Sequence, residues 1–508
     1  MNKKLIYILT SAAALQFVSA CKRELNVNDQ GRIPANNYYK SSGQAFTGLV
    51  AVYDRLGFQS GGLYDKMAIM DVAGGDQYAG GGGPSDINDL QVTENYTLTP
   101  LTGPASYLWN RGYSGVYRAN YLLRSLPGIA MDDATKKRYT AEAKTLRAAF
   151  YFDLVFFFRS IPLLEGVLPI DSLYKPVQTT PDKIYAFVEK DLNEAIPDLP
   201  VTVPVATEGG RLTQGSAKAL LGKVLLYEKK WQAAADQFKD VNGANPGATP
   251  SIYGYQLMPN FADLWKVKNK FNSESIIELV HTSKSNGDWP DAGASDGNLN
   301  CITSGPRSFA LKTGYNSPDY YPGYGFLTFR ADFRNFIHGD PRYAATVADI
   351  DSLVAAGVCS YSQDNSHTGY FLNKFAGRVS DQASSGTVPL NFPQDQYEIR
   401  LADTYLMEAE ALMNAGADVS SAGRAYQLLN TVRARVGLGP VAVTQDNIET
   451  ERRLELAGEG LRWPDLVRWG KAATVLAPRG FIAGRNEMFP IPQTELNNTQ
   501  LQQNDGWK

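Results

Sequence analysis

Five aromatic residues, Trp289, Tyr315, Tyr320, Tyr321 and Tyr324, stand close to Pro318, Pro322, Gly323 and Gly325. Rings carried on Pro/Gly-rich turns cannot all enter a regular core, so part of this set is expected to face solvent. A tyrosine or tryptophan there offers a flat apolar face with a polar edge, suited to stacking on the C–H face of a sugar or on a peptide side chain. A second stretch, from Asp71 to Asn95, carries Asp76-Gln77-Tyr78, the glycine run Gly80 to Gly83, then Asp86 and Asn88. Carboxylates and amides of this kind pair with sugar hydroxyls, which donate and accept alike. No Lys-Ser/Thr follows the glycines, so a phosphate cradle is not expected and the run reads as a flexible loop. These ten residues are the candidate ligand contacts.

Catalysis has one weak candidate. Glu451, Glu455 and Glu459 fall at i, i+4 and i+8, one face of a helix, and paired carboxylates hydrolyse glycosides. Ion-paired or solvated glutamates are far commoner, and the chain has no HExxH, no GxSxG and no Cys–His motif. No enzyme and no cofactor are expected. Three histidines and three cysteines leave little for zinc or for a disulfide framework, and whether Cys301 and Cys359 pair stays open. The 49 basic and 52 acidic residues give a net charge of −3 without a basic tract, so no nucleic-acid partner is expected.

The N-terminus bears on compartment. Lys3 and Lys4 precede an apolar run from Leu5 to Val18, too short to span a bilayer, and Val18-Ser19-Ala20 leads directly into Cys21. This resembles a bacterial lipobox, so Cys21 is expected to become a lipid-bearing N-terminus. More than one acyl chain makes such attachment durable.

The elements that must carry these residues are mostly helical. Tyr139, Ala143, Leu146, Phe150, Leu154 and Phe157 form one stripe at a 3.6 period, ending before Pro162. Pro181 opens a second helix with Ile184, Phe187, Val188, Leu192 and Ile196 on its face. Thr213 caps a third, and Leu221-Gly222, Ala234, Phe238 and Pro246 match part of the tetratricopeptide pattern. Ala402, Tyr405, Ala409 and Leu412, then Ala425, Leu428, Leu429, Val432 and Val436, predict a helical hairpin across Gly416 to Gly423. Residues 57–115 and 245–400 are loop-rich, with short strands such as Ser275 to His281; long irregular stretches in a compact protein are usually functional.

The tail runs Glu451-Arg452-Arg453-Leu454-Glu455-Leu456-Ala457, then Glu459-Gly460-Leu461-Arg462-Trp463-Pro464-Asp465-Leu466-Val467-Arg468-Trp469-Gly470. Phe489-Pro490-Ile491-Pro492 and Gln503-Asn504-Asp505-Gly506-Trp507 follow, and Leu429 to Leu438 precedes. In order and spacing this set resembles the SusD/RagB family of Bacteroidetes outer-membrane nutrient-binding lipoproteins. Pro464 is expected to end the helix before it, and Trp463 and Trp469 to seal a core.

The resemblance implies a mostly α fold, a tetratricopeptide-like scaffold with large loop-rich insertions forming the ligand face. It implies a surface lipoprotein that captures an oligosaccharide, or alternatively a peptide, and delivers it to a SusC-like TonB-dependent barrel. The corresponding division is 1–20 signal peptide, 21–34 lipidated tether, 35–250 N-terminal part, 251–400 variable ligand-binding region and 401–508 C-terminal helices and tail.

Overall fold

The computed structural model describes residues 39–60, 63–285, 288–289 and 295–508. The expected signal peptide, Cys21 and the tether lie outside the described residues.

Helices dominate, several of them started by a side-chain cap or a proline. In chain order the main ones are α1 (Ser42–Tyr53), α2 (Lys66–Gly74), α3 (Asn88–Glu94), α4 (Ala105–Ser125), α5 (Asp133–Phe158), α6 (Pro181–Ala195), α7 (Gln214–Tyr227) and α8 (Trp231–Asn242). The C-terminal part adds α9 (Leu401–Asn414), α10 (Arg424–Arg435), α11 (Gln445–Glu455) and α12 (Arg462–Arg468). The carboxylate of Asp132 accepts from the Thr135 amide at the start of α5, and Thr213 and Ser216 form a reciprocal capping box at the start of α7. Consecutive helices pack pairwise: α4 on α5, α5 on α6, α7 on α8, α8 on α9 and α9 on α10.

Two features explain this stacking. The C-terminal half of α5 is apolar on every side and buried, from Phe150 to Phe158 apart from Asp153, so it must lie inside the body rather than on its surface. Each such phenylalanine removed from water contributes roughly 1.5–3 kcal/mol. In the tetratricopeptide-like pair, a Cβ on Gly222 would lie 2.7 Å from the Phe238 ring, so glycine lets α7 and α8 approach. One continuous apolar core extends from Ala45 to Trp507.

Among the described residues the strands form four two-stranded antiparallel ladders. The longest pairs Ser275–Leu279 with Gln396–Arg400; the others join Ile161–Pro162 to Gln178–Thr179, Ala310–Leu311 to Cys359–Ser360, and Val347–Asp349 to Tyr370–Leu372. Cys301 and Cys359 are both free, buried thiols. No helix of the described residues is long and apolar enough to cross a membrane.

The tail motif is a buried electrostatic lattice. Glu455 receives Arg342 at 2.9 Å, Arg400 at 2.7 Å and Arg435. Glu459 holds Arg400 and Lys374, each at 2.7 Å, and Glu451 holds Arg342 at 2.6 Å and Arg433 at 2.9 Å. Glu274, just ahead of its strand, joins through Arg400 and Arg435. Arg452 bridges Asp403 and Asp465, both at 2.7 Å. Burial alone would push the Glu455 carboxyl up, but Arg435, Arg400 and Arg342 together hold it well below the usual carboxylate range. All three glutamates on the candidate catalytic face are thus enclosed and engaged by cations.

Two expectations are corrected here. Pro464 does not end a helix: α11 stops at Glu455, and Pro464 sits in the first turn of α12, where its missing N–H costs nothing. Trp463 seals the core, 1% exposed and edge-on to Phe156 at 5.4 Å. Trp469 does not; it is half-buried at the rim, donating its indole N–H to Glu410 at 2.9 Å beneath Arg468.

Candidate functional site

The two candidate loop regions meet. The Asp76–Gly81 segment runs antiparallel to residues 325–330: the Tyr78 amide donates to the Thr328 carbonyl at 2.8 Å, the Leu327 amide to Ala79 at 3.0 Å and the Gly81 amide to Gly325 at 2.9 Å. Gly80 is required here. Its φ is +75°, and a Cβ would lie 2.4 Å from the Gly325 carbonyl oxygen. The expected flexible loop is therefore corrected at Gly80 and Gly81, which a ladder fixes in place. Gly83 has open space around it.

Several candidates turn out to build this joint rather than face outward. Gln77 is 1% exposed and donates to the Leu327 carbonyl at 2.8 Å. Asp76 receives Arg453 of the tail motif through both oxygens, tying the loop to α11. Tyr78 is half-buried beneath the Arg330 guanidinium, 3.6 Å from its ring centre, and Glu94 holds Arg330 in turn. Tyr320 is only 8% exposed: its hydroxyl donates to Asn373 at 3.0 Å, Phe309 meets it edge-on and Arg378 lies over its ring at 4.2 Å. Gln77 and Tyr320 are thereby removed as open contacts, because partners far along the chain consume both.

Tyr321 and Tyr324 pack half-buried against a small apolar cluster of Leu299, Ile302 and Leu390. Tyr321 rests edge-on against Phe392 at 5.3 Å. Tyr324 is anchored by its backbone, the amide donating to Ile302 at 2.8 Å and the carbonyl accepting from Arg307 at 2.6 Å. Burial pushes the Tyr324 phenol up, so it remains a neutral donor and acceptor. Trp289 is 44% exposed. Its amide donates to Asp288, which also accepts the Thr387 hydroxyl, and Thr387 accepts the Leu390 amide. The Thr387 hydroxyl, with the Trp289 amide, holds the Asp288 carboxyl below its usual range, a charged peg that pins the tryptophan beside the cluster.

Arg307 links the two loops. Its Nε lies 2.5 Å from Asp364, and its Nη2 is 3.6 Å from Asp86, which also accepts the Gly82 amide at 2.8 Å. Asp86 is partly open and Asn88, at the start of α3, is exposed. The Tyr324 ring, the Arg307 guanidinium and the Asp86 carboxylate thus adjoin, with donors and acceptors beside apolar surface. Tyr315 stands apart: 47% exposed, in the turn after Ala310–Leu311, with no ring contact to the others among the described residues. Among the described residues no group of three or more His, Cys, Asp or Glu is placed to hold a metal ion. Arg307, Asp364, Asp288 and Thr387 escaped the sequence reading, since nothing local marks them. An arginine among aromatic Gly/Pro turns was the one available hint.

Comparison with known proteins bears on this arrangement. A family model described as the SusD family matches residues 355–479, and one described as starch-binding associating with outer membrane matches residues 75–226. A solved laminarin-binding SusD-like protein is 46% identical, covering 92% of this chain and 100% of its own, with a TM-score of 0.87. The chain belongs to the SusD family. Other SusD-family relatives share the architecture at greater distance. Surface glycan-binding protein A from Bacteroides thetaiotaomicron, solved in complex with laminarihexaose, is 25% identical over 92% of this chain and 100% of that one, at a TM-score of 0.81. A SusD-like protein of Bacteroides ovatus is 26% identical over 92% of this chain and 83% of the relative. Both SusD-family model matches include loop ends of the ladder or charge lattice described above: Asp76 and Asp86 lie in one, Arg400 and Glu455 in the other.

Proposed function

We propose that this protein binds a nutrient oligosaccharide on the face formed by Trp289, Tyr321, Tyr324, Arg307 and Asp86, and passes it to a SusC-like TonB-dependent barrel. The observation that carries the reading is the exposed Trp289, linked through Asp288 and Thr387 to Leu390 of the cluster that Tyr321 and Tyr324 pack against, together with the Asp86–Arg307 pair next to Tyr324. An apolar ring face with adjacent donors and acceptors matches a sugar, whose ring has C–H faces and an equatorial belt of hydroxyls. Similarity to a laminarin-binding SusD-like protein supports a laminarin-type ligand. Asn88 would contribute at the edge of the face, and Tyr315 would touch only a long ligand. The role is binding, not catalysis. The protein sits at the outer membrane, held by lipid on Cys21 and facing outward, with residues 251–400 as its variable ligand-binding region.

Calorimetric titration against laminarin oligosaccharides, other glycans and peptides tests this. Saturable binding of oligosaccharides, tighter than of monosaccharides, is expected; binding of peptides alone would overturn the glycan assignment. Cys21→Ala should abolish lipid attachment, read by mass spectrometry of membrane-extracted protein, and an unmodified Cys21 in the wild type would overturn the anchor.

A further inference from the structure

A cleft of about 550 Å³ shares none of the residues of the aromatic face. Its apolar surface comes from the half-buried Trp265 ring with Ala344 and Ala345, and its charged lining is four cations, Lys266, Lys268, Lys374 and Arg378, and two carboxylates, Asp319 and Asp381. The volume falls in the range of roughly 300–1,000 Å³ usual for small-ligand sites.

Lys266 is paired with Asp263 at 2.6 Å and Lys374 with Glu459 at 2.7 Å, and the remaining charges are not spent on one another. Arg378 uses Nη2 on Asn373 at 2.6 Å and lies over Tyr320, yet forms no ion pair among the described residues. Lys268 and Asp381 likewise have no ion pair among the described residues, and Asp319 accepts only the Ser380 hydroxyl on its side chain. Burial, and then the neighbouring Asp319 charge, push the Asp381 carboxyl up, which fits a group set into a recess. Two unpaired cations, Lys268 and Arg378, and two carboxylates, Asp319 and Asp381, therefore border an apolar patch while keeping hydrogen-bonding capacity free.

Ligand classes can be separated on this lining. An anion would meet Asp319 and Asp381, and a cation would meet Arg378 and Lys268. An apolar molecule would strip water from four charges without replacing it. A polyhydroxylated ring satisfies both sets, because each hydroxyl donates and accepts, while its C–H face packs on the alanines and the part of Trp265 that Lys374 and the neighbouring rings leave open. We propose that this cleft is a second saccharide site, accepting a sugar unit independently of the aromatic face. The proposal rests on the glycan-binding reading above.

The test uses the full chain and laminaritriose. In a Trp289→Ala/Tyr324→Ala background, which removes the aromatic face, a residual binding event should remain. Adding Ala344→Trp fills the cleft from an exposed alanine whose hydrogen bond from the Asn373 side chain is accepted by its backbone carbonyl and survives the substitution. It should weaken that residual event at least tenfold, and Asp381→Asn should weaken it less. Survival of the residual event in the Ala344→Trp protein would overturn the second site. A single event lost entirely with Trp289 and Tyr324 would overturn it too, while leaving the glycan reading intact. Failure of the wild type to bind any saccharide would remove both.

Discussion

The tail lattice and the aromatic face are built from opposite materials. Around Glu455 three arginines converge on one buried carboxylate, and the side chains of Glu274, Glu451 and Glu459 each meet cations in turn. At the aromatic face the charged groups are fewer and half open, and the rings are held mainly through their backbones. Removing ions from water costs several kcal/mol each, repaid only by complete pairing, so a buried lattice tolerates one arrangement and rejects others. A face anchored through main-chain bonds leaves its side chains replaceable. One region defines how the segments meet; the other can change its side chains without disturbing that meeting.

The largest effect is expected in the lattice. Glu455→Gln leaves Arg342, Arg400 and Arg435 facing a neutral group in the interior and should cost about 3–5 kcal/mol, read by denaturant unfolding. The pH dependence has a definite sign. A carboxylate held below its unfolded value contributes stability that is complete above about pH 4.3 and is lost as pH falls through the folded value. Acid unfolding of the wild type should therefore steepen below that point, and Glu455→Gln should flatten the slope.

Trp463 inside α12 and Trp469 just past its end sharpen the contrast. Trp463→Ala should cost about 3–5 kcal/mol, as for other fully buried aromatic rings. Trp469→Ala, at the rim, should cost clearly less, and equal losses would show that its bond to Glu410 matters as much as burial. Gly80→Ala probes the joint between the regions. With φ at +75° and the Gly325 carbonyl in the way, it should destabilise by more than about 1 kcal/mol and weaken oligosaccharide binding as well. Normal melting with normal binding would mean that the two loops are not coupled through this ladder.

The helices were legible because their information is local. The stripe from Tyr139 to Phe157, the Pro181 start and the Thr213 cap all appear within a few residues, and the structure has α5, α6 and α7 there. Membership of the SusD family was legible for a similar reason, since the tail motif is contiguous. The lattice was not: the motif shows alternating charge, but Arg342, Arg400 and Glu274 arrive from distant segments. Tyr320 and Tyr321 make the same point at the face. They are adjacent, of one type and in one turn, yet Asn373, Phe309 and Arg378 bury the first while the second packs at the edge of the Leu299 cluster. Local composition marked the right loops and could not say which rings the fold would consume.

The most direct test is a paired measurement on Trp289→Ala and Tyr324→Ala: oligosaccharide affinity by calorimetry and melting temperature by calorimetric scan. Stacking of the size known for aromatic pairs predicts a loss of about 1–2 kcal/mol in binding for each. Stability should stay within about 0.5 kcal/mol for Trp289→Ala, whose ring is the more open of the two. Unchanged affinity in both variants, with melting temperatures intact, would contradict the assignment of this face as the ligand site.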